Sequence, residues 1–182
     1  MTVLFDSSVL LLAMHPDAAP PIDPATQQPV EHARQRVDYL IRKLSKAREK
    51  VVIPSPVLAE ILVHAGKSTN EYVQNFQQSP FRIAPFDTRA AIECADAIHR
   101  YGIKGKGKEN PRAKIKFDRQ IIAIAQVEHA ETIYSDDEDI FKYGAQAGIR
   151  VIRSYELELD PEDRQHQLDL DPAESDDAPP AA

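Results

Sequence analysis

The sequence predicts an α/β fold, a sandwich whose central, mainly parallel sheet lies between layers of helices. Short apolar strands alternate with amphipathic helices through residues 1–154, which is typical of a parallel sheet. The chain has 182 residues, of which 42% are hydrophobic, enough for one domain with a substantial core. The predicted strands are 2–5, 51–54, 81–87, 132–135 and 149–154. The predicted helices are 7–15, 30–49, 55–66, 70–78, 88–102, 116–130 and 138–148.

The first elements follow each other closely and then give way to a long loop. The apolar run "TVLF" at 2–5 predicts a strand, and residues 7–15 read as a helix directly after it. The Pro-rich loop 17–29 exceeds the usual length of a connection, which indicates a functional or family-specific insertion. The next segment, 30–49, carries apolar residues at helical spacing. These are Val37, Leu40, Ile41 and Leu44.

Start and stop signals define the middle of the chain. The strand 51–54 leads into a helix with Ser55 as N-cap and Pro56 at its first position, and Gly66 ends that helix. Gly102 likewise closes the helix that begins at residue 88. These signals confine each helix to a length that suits one layer of the sandwich.

Four acids are predicted to meet near one edge of this sheet. Asp6 follows the first strand and Asp137 follows the fourth, and the carboxyl ends of parallel strands share one edge. Asp118 lies at the start of its helix, just before an apolar run. Glu60 lies at the margin of an apolar helix stripe, where a partly buried carboxylate usually needs a partner. His64 follows Glu60 by one turn, although an exposed or satisfied helix histidine is the simpler interpretation.

Each acid also has a simpler explanation. Asp6 and Asp118 are suited to capping their helices, Glu60 to a surface position, and the acidic run 136–139 to a solvated turn. A single shared site explains four acids at one edge of the sheet more simply than four unrelated capping roles do. Oxygen-only clusters of this kind hold Mg²⁺ or Mn²⁺. We therefore expect a site for Mg²⁺ (or Mn²⁺) at this edge.

A basic segment leads into this group of acids. Residues 104–119 carry a net charge of +5, which suits contact with a phosphate backbone. An ordinary solvated loop is the alternative, and no aromatic residue is interleaved with the bases of 104–116, which argues against base stacking there. The lysines expected to contact such a backbone are Lys104, Lys106, Lys108, Lys114 and Lys116.

The C-terminal segment differs from the rest in composition. Residues 158–182 carry a net charge of −8, whereas residues 1–157 carry +1. This segment has few large apolar residues, so burial cannot offset its ordering entropy. We expect one folded domain at 1–154 and a flexible acidic tail at 155–182, which serves either as a solubilising extension or as a partner-binding arm.

Cysteine content and hydropathy indicate a cytoplasmic protein. Cys94 is the only cysteine, which excludes an internal disulfide framework and suits a reducing compartment. No apolar run reaches the roughly 20 residues that a membrane span needs. The N-terminal residues lack the basic region of a signal peptide. We expect no membrane association.

Four short motifs together resemble those of one enzyme family. The stretches "VLFDSSVLL", "IPSPVLAEIL", "KFDRQIIAIA" and "YSDDEDIF" look like the four acidic blocks of PIN-domain ribonucleases, in the same order. The VapC-type toxins of bacterial toxin–antitoxin pairs are one branch of this family. The resemblance implies a three-layer α/β/α sandwich and a Mg²⁺- or Mn²⁺-dependent endoribonuclease.

The resemblance also implies roles for individual residues. The four core acids, both catalytic and metal-binding, would be Asp6, Glu60, Asp118 and Asp137. Asp139 matches an additional metal ligand, and Ser7 and Ser135 match small hydroxyl residues that would contact substrate. Ile140 stands where an aromatic residue is usual, with Phe141 beside it, which leaves Asp136 as an alternative to Asp137.

The resemblance implies RNA as substrate, with a cognate antitoxin and a second copy of the chain as possible partners. A noncatalytic PIN-like module that binds RNA or protein is the alternative. An aspartyl-phosphate enzyme is a third reading. It is disfavoured because Ser8 stands where many such enzymes have a second Asp.

Overall fold

The computed structural model describes residues 1–102 and 112–163, and side chains from Ile115 onward in the second part. Within these residues the strands are β1 (Thr2–Phe5), β2 (Lys50–Pro54), β3 (Arg82–Ala84), β4 (Thr132–Tyr134) and β5 (Arg150–Ile152). The helices are α1 (Ser7–Met14), α2 (Ala33–Lys46), α3 (Ser55–Ala65), α4 (Thr69–Gln78), α5 (Thr88–Tyr101), α6 (Arg112–Val127) and α7 (Glu138–Gln146).

All five strands form one parallel sheet in the order β3-β2-β1-β4-β5. Helices flank this sheet, which confirms the predicted α/β class. The central strand β1 pairs with β2 on one side and β4 on the other, so that Phe5 lies opposite Tyr134. In open parallel sheets a crevice forms beyond the carboxyl ends of two neighbouring strands when the segments that follow them run in opposite directions. Here that crevice lies just beyond Phe5.

The two faces of the sheet bury different side chains. Phe5 lies edge-on to Tyr134 on one face, with ring centroids 5.3 Å apart. On the opposite face Val52 packs in a small cluster with Cys94 of α5 and Ile124 of α6. Burial raises the pKa of the Cys94 thiol, which disfavours the reactive thiolate.

Helix α6 begins earlier than the sequence indicated. We expected a helix at 116–130 with Asp118 at its start, but α6 begins at Arg112. Ile115 is almost fully buried, so the first turn of the helix already packs into the core. Asp118 therefore lies in the second turn and does not cap the helix.

The loop 17–29 has a defined conformation. Ile22 and Pro29 form an antiparallel bridge, and the Asp23 amide donates to the Gln28 carbonyl at 2.8 Å. The guanidinium of Arg34 donates to backbone carbonyls at the end of α1, which fixes the start of the loop against α2. The insertion is thus a folded part of the domain.

The fold continues beyond the boundary expected at residue 154. A 3-10 turn spans Ser154–Glu156, and Leu157 and Leu159 are buried against the domain. Lys43 of α2 pairs with Glu158 at 2.8 Å. Residues 155–160 therefore pack on α2, because their apolar side chains and charges find partners there. Residues 164–182 lie outside the described residues, so the flexibility of that part of the tail stays a prediction.

Within residues 1–102 and 112–163, no helix combines the length and apolar character needed to cross a membrane.

Candidate metal centre

Asp6 lies directly beyond β1 and is only 4% exposed. It occupies the N-cap position of α1, yet its carboxylate caps no amide of that helix. Instead its Oδ2 accepts a hydrogen bond from the Ser135 hydroxyl at 2.7 Å and one from the Ser8 hydroxyl at 3.2 Å. The simple capping role considered for Asp6 is therefore wrong, and the side chain points to the carboxyl edge of the sheet.

The charge of Asp6 is costly in the folded chain. Burial is the largest cause that raises its pKa, and the negative charges of Asp137 and Glu60 raise it further. The hydrogen bond from Ser135 opposes this shift without cancelling it. Desolvation thus contributes more than repulsion between the acids to the raised pKa of Asp6.

Asp137 is both a helix cap and part of the site. Its Oδ1 accepts from the amides of Asp139 at 2.7 Å and Ile140 at 3.3 Å, as an N-cap of α7 does. Its own amide donates to the Ser135 hydroxyl at 3.1 Å. One hydroxyl thus links the loop after β4 to the acid after β1.

The hydroxyl of Ser135 holds Asp6 and Asp137 in position from the interior of the protein. Its side chain is fully buried, and both partners of its hydroxyl belong to the protein. The substrate contact expected of Ser135 does not agree with this burial. Ser7, the other hydroxyl residue expected there, borders the cavity described below.

The positions of their side chains distinguish Asp136 from Asp137 as candidates for the fourth core acid. Asp136 turns away and accepts hydrogen bonds from the Ser154 amide at 2.8 Å and hydroxyl at 2.9 Å. Asp137 borders the cavity together with Asp6. Ser154 follows β5, so Asp136 ties the loop after β4 to the end of the neighbouring strand.

The predicted acids converge on one cavity of about 580 Å³. Asp6 comes from the end of β1, Glu60 from α3, Asp118 from α6 and Asp137 from the start of α7. Asp118 is 5% exposed, and Glu60 is half-buried. Four elements separated in sequence therefore deliver carboxylates to one place.

Three of the acids form the tightest group. Asp118, Asp137 and Asp139 each offer a carboxylate oxygen, and these oxygens lie within 4.8 Å of one another. Asp6 and Glu60 border the same cavity beside this group. Such a set of oxygen ligands suits a hard divalent cation.

Apart from the acids, Ser7 and His64, the wall of the cavity is apolar. Apolar side chains from α3, α6 and α7 form it, namely Ala59, Val63, Phe117, Ile121 and Ile140. Ile140, which stands where the family pattern has an aromatic residue, is buried in this wall. His64 also borders the cavity, one turn after Glu60 on α3.

The sequence matches the family model of the PIN domain over residues 30–146, which is well over half of the chain. The chain belongs to the PIN domain family. A search of curated proteins found no match.

Solved structures resemble this PIN domain in fold. They include VapBC2 from Rickettsia felis bound to a promoter DNA fragment, with 16% identity, a TM-score of 0.53, and coverage of 84% of this chain and 98% of that one. DNA-bound VapBC from Salmonella typhimurium has 15% identity, a TM-score of 0.53 and coverages of 85% and 98%. A toxin–antitoxin complex from Klebsiella pneumoniae has 19% identity, a TM-score of 0.51 and coverages of 85% and 99%.

The basic segment of this PIN domain is only partly described. Lys104, Lys106 and Lys108 lie outside the described residues, as does the side chain of Lys114. Lys116 is exposed on α6, two residues before Asp118. Their contact with RNA stays a prediction.

Arg119 belongs to the same segment but faces the interior. It is 3% exposed, and its guanidinium carbon lies 3.9 Å from the ring centroid of Tyr143 on α7. This base of the segment therefore packs α6 against α7 and is not available to a polyanion.

Proposed function

We propose that the protein is a Mg²⁺- or Mn²⁺-dependent endoribonuclease, the toxin of a type II toxin–antitoxin pair. The convergence of four carboxylates on one cavity at the carboxyl edge of a PIN-domain sheet, with Asp139 close to two of them, carries this proposal. The fold similarity to VapBC and other toxin–antitoxin complexes supports the toxin assignment.

The residues present fit a divalent metal ion. Asp118, Asp137 and Asp139 would hold it, because their oxygens are the closest group. Asp6 and Glu60 add negative charge at the same cavity, and the raised pKa of Asp6 indicates that a nearby cation would stabilise its ionised form. When bound, such an ion lowers the pKa of a coordinated water and stabilises charge on a phosphate.

The protein's own contribution is to fix the acids before substrate arrives. The Ser135 hydroxyl holds Asp6, and the amides at the start of α7 hold Asp137. Preorganised ligands avoid reorganisation during the reaction. The apolar wall beside them reduces the water around the phosphate, which strengthens every charge interaction in the cavity.

RNA and an antitoxin are the proposed partners. Lys116, which is exposed on α6, would bind the phosphate backbone next to the acids. The lysines of the preceding segment would contribute to the same contact. A protein partner of the toxin would have to cover the same cavity to block it. A second copy of the chain stays a possible partner by resemblance.

Cleavage of RNA by the full chain tests this proposal. We expect Mn²⁺ or Mg²⁺ to support cleavage of a mixed single-stranded RNA pool, EDTA to abolish it, and D118N to reduce it by about a hundredfold or more. D96N, which changes an exposed acid of α5, is the matched control and should cut normally. If the wild-type chain binds RNA but never cuts it in either metal, the noncatalytic alternative is correct.

A further inference from the structure

A second cavity, of about 370 Å³, adjoins the metal centre. His64 borders both cavities. Most of the remaining wall comes from the end of α1 and from the insertion 17–29, including Leu11, His15, Asp17 and Ala18. The insertion thus forms part of a surface next to the acids.

The two cavities share a short boundary. Ser7 and Asp137 border the first cavity, while their chain neighbours Ser8 and Asp136 border the second. The Ser8 hydroxyl donates to Asp6 at 3.2 Å and accepts from the Asp136 amide at 3.0 Å. A strand of RNA held at the acids would therefore pass beside the second cavity.

The wall of the second cavity is preformed. The Arg34 guanidinium donates to the His15 carbonyl, and the Ala18 amide donates to the same carbonyl at 3.1 Å. Farther along, the Val30 amide donates to the Pro21 carbonyl at 2.8 Å, and Val30 is buried. A ligand would not have to order this loop, which lowers the entropic cost of binding.

The side chains that line the second cavity suit a nucleobase better than a phosphate group. The carboxylate of Asp17 would repel a phosphate group. The imidazoles of His15 and His64, with the apolar wall, suit the face of an unpaired base, because RNA-binding proteins stack splayed bases on such rings. A carboxylate accepts hydrogen bonds from the amino group of a base. The volume lies in the range of small-molecule pockets.

We propose that this second cavity, bounded by His64 and Asp17, receives the unpaired nucleobase next to the cleaved phosphate and prefers bases that carry an amino group. The inference rests on the proposed function and adds a specificity determinant to it. The insertion would then set which phosphate is cut, and the metal centre would supply the chemistry.

Matched oligonucleotides test this subsite. Single-stranded RNAs that contain one cleavage site carry adenine, cytosine, guanine, uracil or an abasic sugar on either side of the scissile phosphate, and kcat/KM is measured in Mn²⁺. On the side that enters the second cavity, we expect the full wild-type chain to cut the amino-bearing bases about tenfold faster than the abasic substrate. Uracil should fall between them.

Two variants test which residues cause the difference in cleavage rate between these substrates. H64A should bring the ratio of base to abasic substrate close to one, because it removes the ring. D17N should bring the amino-bearing bases and uracil close together, because an amide also offers donors. H99A and D96N change exposed residues of α5 of the same types and should keep the wild-type ratios. Melting temperatures verify that each variant is folded.

The outcomes separate this inference from the proposed function. If the wild-type chain cuts RNA but with equal rates for base and abasic substrates, the subsite is wrong and the ribonuclease assignment stands. The same conclusion follows if H64A and D17N keep the wild-type ratios. If the wild-type chain cuts no RNA in Mn²⁺ or Mg²⁺, the proposed function fails and the subsite fails with it.

Discussion

Asp6 carries a buried charge that the protein alone stabilises poorly. Its pKa is raised, so the folded chain keeps a proton on Asp6 to a higher pH than the unfolded chain does. Stability without metal therefore falls as the pH rises from the unfolded pKa through the folded pKa, and the loss is complete above that window.

The variant D6N tests this charge. Since the amide has no ionised form, we expect D6N without metal to melt at the same or a higher temperature than the wild type at pH 7.5. The increase in melting temperature that millimolar Mn²⁺ gives the wild type should be largely lost in D6N. Thermal melts in EDTA and in Mn²⁺ measure both effects. A variant that melts lower in EDTA and keeps the Mn²⁺ increase would contradict this account.

At the residue scale, the sequence predicted which acids meet but could not predict how they are held. Asp6 and Asp137 could be placed because each follows a strand. The burial of Ser135 beneath them depends on the register of β4 against β1, which no local pattern contains. His64 was underrated for a similar reason, because its role depends on the position of α3 over the sheet edge.

Helix α7 lies unusually close to β5, and this contact positions two of the acids. A Cβ added to Gly144 would overlap the Val151 side chain. We expect G144A to lower the free energy of unfolding by about 1–3 kcal/mol, because either α7 or β5 must shift. Chemical denaturation measures the loss. A147G, in the residue after α7, is a control for composition and should not share the clash.

Since α7 carries Asp137 at its cap and Asp139 in its first turn, G144A should also weaken Mn²⁺ binding. Titration at a temperature where the variant is folded measures this affinity. Wild-type stability and affinity in G144A would show that the contact between α7 and β5 is not tight in solution.

The opposite edge of the sheet is held by an ion-pair network. Glu128, just after α6, pairs with Lys50 at 3.0 Å and with Arg82, at the starts of β2 and β3. Burial opposes its ionisation, but hydrogen bonds from Arg82 and Lys50 outweigh this and lower the pKa of Glu128. This stability is present above the unfolded pKa and is lost as the pH falls through the folded pKa.

The variant E128Q should therefore be less stable than the wild type at pH 7, by about 1 kcal/mol, and the gap should close below about pH 4. Denaturation at several pH values measures the gap, with E93Q on the exposed side of α5 as control. Because this network lies at the far edge, metal affinity should not change. A gap that is constant from pH 7 to pH 3 would rule out the ion pairs as its cause.

At the element scale, apolar runs located all five strands, because a buried parallel strand has a strong local signal. The start of α6 was missed because charged residues before Asp118 concealed one buried position, Ile115. The segment after β5 was assigned wholly to the tail because acidic composition dominated it. Leu157 and Leu159 nevertheless find a place against α2, which composition alone cannot show.

Charges of opposite sign are separated along the sequence, with +5 in residues 104–119 and −8 in residues 158–182. The basic segment leads into the metal centre, whereas Glu158 and Asp160 are bound by Lys43 and Arg42 of α2. If Lys104, Lys106, Lys108 and Lys114 guide RNA, replacing all four with Ala should weaken RNA binding for every sequence. The salt slope should fall by about one for each phosphate that the variant no longer binds. Metal affinity should be unchanged. Equal affinity and salt slope in this variant would make the segment a simple connector.

Removing residues 164–182 tests the tail separately. These residues carry five of the ten acids in 155–182, so their deletion should tighten RNA binding at low salt and have little effect at high salt, where charges are screened. Truncation after residue 163 keeps the packed segment on α2 intact. Filter binding at several salt concentrations gives the comparison, and no change at low salt would leave the tail a solubilising extension.

Manganese placed in crystals of the full chain tests the central claim most directly. An anomalous difference map at the manganese edge should show a peak about 2.1–2.2 Å from carboxylate oxygens of Asp118, Asp137 and Asp139, and D118N crystals should lose it. No peak in this cavity at millimolar Mn²⁺, or one at other residues while the acids stay empty, would contradict the metal centre and the ribonuclease that depends on it.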